Sequence, residues 1–70
     1  TAVMPADLTE AIAAVPEAQA TYETLNSQNR YALFFRISTL KTAAARERRI
    51  EAIVRMLAAG ETPYPQRRTP

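Results

Sequence analysis

The side chains best equipped for chemistry in this chain are basic. Arg46, Arg48, Arg49 and Arg55 fall within a single short stretch, and Arg30, Arg36 and Lys41 precede them. A guanidinium carries a fixed fork of N–H donors that matches carboxylate or phosphate oxygens, so such a cluster suggests an anionic partner. Glu47 and Glu51 interrupt the run. No Asn/Gln/Arg set for reading base edges stands out, which makes nucleic acid the alternative partner and not the leading one. Composition excludes several other chemistries. With no Cys and no His, a Cys/His zinc site, thiol catalysis and Ser-His catalysis cannot be built. Seven carboxylates and three Tyr could in principle do acid–base work, but acids spread over separate short helices more often serve as caps and ion pairs. No acidic loop of the calcium type occurs. The reading is therefore of a non-enzymatic protein with no catalytic, cofactor-binding or metal-binding residues.

Charge is unevenly placed along the chain. Residues 1–29 hold Asp7, Glu10, Glu17 and Glu23 and no base, whereas residues 30–70 hold all nine bases against Glu47, Glu51 and Glu61, a net of +6. Either a basic surface awaits an anionic partner, or acidic early helices lie against basic later ones and cancel charge inside the fold. Seventy residues allow one domain with a small core. No apolar run approaches the roughly 20 residues needed to span a bilayer, and no signal peptide opens the chain. A soluble, cytoplasmic protein is expected, in line with the absence of Cys. Thr at position 1 suggests a processed or excised piece of a longer chain.

Positioning the bases falls to helices, since a single Gly in the whole chain argues against an all-β fold. The pattern predicts four helices near 5–14, 16–26, 28–40 and 43–59, in an all-α bundle covering residues 1–61. Pro5 and Pro16 suit first helical positions, and each is followed within the first turn by an acid, Asp7 or Glu17. Ser27 is the expected N-cap of the third helix, with Asn26 closing the second; Thr42 is the expected N-cap of the fourth, and Gly60 its left-handed stop. The third helix, with Tyr31, Leu33, Phe34, Phe35, Ile37 and Leu40, is apolar around more than half its girth. It is read as the central helix, covered from several sides. The predicted core is Leu8, Ile12, Tyr22, Leu25, Phe34, Ile37, Ile50, Ile53, Val54 and Leu57, with Phe34→Ala expected to cost about 3–5 kcal/mol. Glu51 is placed to pair with Arg55. From Thr62 onward, Pro63, Pro65 and Pro70 predict a disordered tail made basic by Arg67 and Arg68.

Arg46 is the exception on the last helix, because periodicity sets it at the edge of the apolar stripe. Arg30 and Lys41 likewise project at the angle of Phe34. A half-buried base needs a carboxylate, helix carbonyls or a bound anion. For Arg46 the expected partners are the open carbonyls at the end of the third helix together with one of Asp7, Glu10, Glu17 or Glu23.

Three stretches resemble a known family. Residues 4–12, MPADLTEAI, are similar to the opening helix of the bacteriocin-protection, YdeI or OmpD-associated proteins of bacteria. Residues 25–41, LNSQNRYALFFRISTLK, resemble that family's Leu-to-Lys segment, and residues 46–61, RERRIEAIVRMLAAGE, resemble its ending and are the most specific of the three. The family's basic positions fall on Arg30, Lys41, Arg46, Arg48 and Arg49, which become the candidate anion- or partner-binding residues. Leu40 and Ala45 depart from the usual Ala and Thr, and the second change removes a hydroxyl beside Arg46. The resemblance implies a small helical domain, often preceded by a β-rich domain that these 70 residues lack. It further implies a role in bacteriocin or envelope-stress protection. The partner is then another protein or that β-rich domain.

Overall fold

The computed structural model of the chain describes residues 4–65. They form α1 (Ala6–Ala13), α2 (Pro16–Glu23), α3 (Ser27–Ser38) and α4 (Ala43–Ala58), with no strand among the described residues. Local chemistry explains most boundaries. Val15 is extended at φ −120°, ψ 103°, as a residue before proline prefers, and Pro16 then opens α2 at its first helical position. Pro5 stands one residue earlier than the reading placed it, at the N-cap, where its carbonyl accepts from Thr9 N–H at 3.1 Å. Thr42 caps α4, its hydroxyl accepting from Ala45 N–H at 3.1 Å. Gly60 takes φ 79°. Its N–H donates to Leu57 C=O and that of Glu61 donates to Met56 C=O, the paired bonds of a Schellman stop.

The cap of α3 corrects the expectation. Asn26, not Ser27, is the N-cap, and its side-chain oxygen accepts from Asn29 N–H at 2.9 Å. Both residues are competent caps, and the asparagine is the one whose backbone is extended, with ψ 173°.

Packing also moves the centre of the fold. α4 lies against α1, α2 and α3, α1 also meets α2, and the backbone of α3 approaches α4 closely and no other helix. The hub is therefore the longest helix, 16 residues, not the apolar third one. Ile50, Ile53 and Leu57 on α4 are buried with Leu8, Ile12, Ala18, Leu25, Leu33 and Ile37 in one core. A Cα radius of gyration of 11.4 Å is close to the ~11 Å of a compact domain this size. Of the predicted core, Tyr22 and Val54 are only partly buried against it, and Phe34 is intermediate. Leu33, fully buried, was missed, although Asn29, Leu33 and Ile37 stand at i, i+4, i+8 and mark the true inner stripe of α3.

Order extends beyond Thr62. Asn29 is completely buried, its Nδ2 donating to Tyr64 C=O at 3.1 Å and its Oδ1 accepting from Tyr64 N–H at 2.7 Å. The start of the Pro-rich tail is thus strapped onto α3 by backbone pairing, because a buried amide must find partners and Tyr64 supplies both. Thr62 reinforces the turn by donating to Tyr64 C=O at 2.6 Å. Arg67, Arg68 and Pro70 lie outside the described residues.

Candidate functional site

The five candidate bases do not converge; the fold distributes them over separate places. Arg46 is used internally. Its Nη2 donates to both carboxylate oxygens of Asp7, at 2.9 and 2.8 Å, and its Nε to Oδ2 at 3.3 Å. Its Nη1 reaches Ile37 C=O at 3.4 Å, in the last turn of α3. One guanidinium therefore ties α4 to the start of α1 and the end of α3, with the helix carbonyl and the early acid anticipated for it. The Arg46 hydrogen bonds hold the Asp7 carboxyl below the usual carboxylate range; desolvation opposes them, and the Arg46 charge and Leu8 N–H assist. Among the described residues this is the one ion pair within 4 Å, so the expected Glu51–Arg55 pair does not form. Charge cancellation between early and late helices is likewise concentrated in this pair.

Arg48 and Arg49 are exposed one turn along α4. They flank a shallow depression of about 300 Å³ floored by Leu40, Ala45 and Ala52. Lys41 is exposed in the α3–α4 turn. Neither it nor Arg30 is half-buried as its angle suggested: α3 ends at Ser38, before Lys41, and beside Arg30 no helix packs closely on α3, only the Tyr22 side chain of α2 reaching it.

That uncovered side is the feature sequence reasoning missed. Tyr31 and Phe35 are 58% and 56% exposed. The Tyr31 ring lies 6.1 Å from that of Phe34 and stacks 6.2 Å from that of Phe35, centroid to centroid. Such i, i+3 and i, i+4 contacts stabilise a helix by only a few tenths of a kcal/mol, too little to account for leaving aromatic rings in water. Beside them opens a cleft of about 710 Å³ lined by Met4, Tyr22, Arg30, Tyr31 and Phe34, with Ser27 and Gln28 at its rim. Arg30 lies over the Tyr22 ring at 5.0 Å from its centroid. Among the described residues no carboxylate belongs to the lining. On helical angles, Arg30, Phe34, Tyr31 and Phe35 occupy one continuous arc that runs from the flank of the inner stripe round to the side opposite Leu33. The signal was present: an arc this wide cannot be covered by a single neighbouring helix.

No three metal-ligating side chains gather among the described residues, and no helix there is long and apolar enough to cross a membrane. Among curated proteins none matches the chain. Among solved structures none matches either. The family described as Bacteriocin-protection, YdeI or OmpD-Associated matches residues 1–60, which takes in all four helices and every candidate base. With that match spanning nearly the whole sequence, the chain belongs to the bacteriocin-protection, YdeI or OmpD-associated family.

Proposed function

We propose that the chain is a non-enzymatic protein-interaction module of a bacteriocin- or stress-protection protein, and that the outer face of α3 is its contact surface. The observation that carries this reading is the side-by-side exposure of Tyr31 and Phe35 on a well-formed helix. Contiguous exposed aromatics flanked by an arginine are the composition of binding hot spots, not of ordinary solvated surface. Family membership supplies the protective setting, and the partner is a protein, a β-rich domain of the kind found in family members included. A cytoplasmic location belongs to the same proposal and draws on the absence of Cys.

Site-specific photo-crosslinking in a bacterial cell tests it. A benzoylphenylalanine replacing Phe35 should yield a protein adduct, and one replacing Ala44, exposed on α4, should not. No adduct from position 35, or equal adducts from both positions, would overturn the reading. Nucleic-acid binding through α4 retains Arg48, Arg49 and Arg55 but has lost Arg46 to Asp7. It would be favoured by DNA binding that weakens steeply between about 50 and 200 mM salt.

A further inference from the structure

We propose that the cleft beside Arg30 takes an acidic, apolar peptide segment, seating an aliphatic or aromatic side chain against Tyr22, Tyr31 and Phe34 and an adjoining carboxylate on Arg30. This rests on the interaction reading above and adds the chemistry of the partner. Charge complementarity is the first ground. α3 carries Arg30 and Arg36 and no acid, and among the described residues the cleft lining holds one cation and no anion. Unlike Arg46, whose donors meet Asp7 and Ile37 C=O, the Arg30 guanidinium has no carboxylate or carbonyl partner among the described residues and rests on an aromatic ring.

That ring is the second ground. A cation held over Tyr22 keeps its charge and most of its N–H fork for another molecule, and its side chain is already positioned, so less ordering entropy is lost on pairing. Met4 adds a wall that can adapt to differing side chains. Extent is the third ground. From the cleft the aromatic arc continues over Tyr31 to Phe35, about 7.5 Å along the axis from Arg30 at the helical rise, with a second apolar contact at its far end. A short segment of polypeptide with anchors at helical or extended spacing spans that distance.

Other occupants fit less well. One cation cannot track a phosphate backbone, which needs a charged groove along the strand. A second copy of the chain docked by the same face would bring Arg30 toward Arg30, with no acid on the arc to answer either.

The test is an NMR titration of the ¹⁵N-labelled chain with a short amphipathic peptide of Leu, Phe and Glu, and with its counterpart carrying Gln for every Glu. The Glu peptide should shift the amides of Tyr22 and Arg30 through Phe35, and should bind about tenfold more tightly than the Gln peptide. Arg30→Gln should remove that difference while leaving the Gln peptide unaffected, and Tyr31→Ser should weaken both. Both substituted positions are exposed, and the unchanged spectrum of α1 and α4 verifies the fold. Equal binding of the two peptides at α3 would overturn the acidic partner and leave the interaction face standing. No shift at α3 from either peptide, with crosslinking at position 35 intact, would overturn the cleft as a peptide site. Stronger shifts at α3 from oligodeoxythymidine or from anionic phosphatidylglycerol vesicles would overturn it in favour of those ligands.

Discussion

On its inner side α3 presents Asn29, Leu33 and Ile37, all fully buried, and on its outer side Tyr31 and Phe35, both more than half exposed. The polar amide is inside and the aromatic rings are outside, the reverse of what residue type suggests. The difference lies in what each side meets. Inward, α4 supplies the wall and Tyr64 supplies a backbone for Asn29 to pair with. Outward, no helix packs closely, only the Tyr22 side chain of α2 reaching Arg30 at one edge, and the aromatics beyond it make a surface of their own. Burial follows from coverage, and coverage is decided by the other helices. The same split separates the two arginines: Arg46 closes on Asp7 and the inner end of α3, whereas Arg30 stands at the edge of the outer face.

The comparison breaks first, if it breaks, on the inner stripe. Ile37→Ala should cost about 2–5 kcal/mol in chemical denaturation, enough to unfold much of so small a domain. A loss similar to that of Phe35→Ala would erase the distinction between the faces. Asn29→Ala comes next, at about 1–3 kcal/mol, because Tyr64 and the strap lose their buried partner. Hydrogen exchange at the Tyr64 amide should accelerate in the same variant. Phe34 sits on the boundary. With its ring only partly covered, Phe34→Ala should cost about 1–2 kcal/mol, less than the about 3–5 kcal/mol of a fully buried phenylalanine.

The arginines sharpen the contrast. Arg46→Met should lower the thermal midpoint, since it strands Asp7 and the Ile37 carbonyl, and Arg30→Met should barely move it. The Asp7 carboxyl is held below its ordinary value. Its contribution to stability is therefore complete above the unfolded-chain pKa, near 4, and is lost as pH falls through the lowered folded value. The stability gap between the wild type and Asp7→Asn should accordingly close on acidification, and a gap independent of pH would remove the ion pair from the account. The smallest effect is expected outermost. Tyr31→Ser and Phe35→Ser should each stay within about 0.5 kcal/mol of the wild type while weakening peptide binding.

Features governed by neighbours in the chain were legible in the residues themselves. Pro16 starts α2, Thr42 caps α4 and Gly60 ends it, because each acts on backbone groups only a few residues away and needs no tertiary partner. The four-helix pattern follows from the same local chemistry, as does the placing of Arg46 at an apolar edge. Periodicity could not choose Asp7 from four early acids, since that choice depends on how α1 docks across 39 positions of chain. It could not foresee that Asn29 would pair with Tyr64, 35 residues on, or that the Pro-rich segment would be strapped there. Nor could it say which part of α3 would be covered: an apolar arc records what a helix is able to bury, while the packing of α4 against only one side of α3 settled what it does bury and left the aromatic rings beside Arg30 in the open.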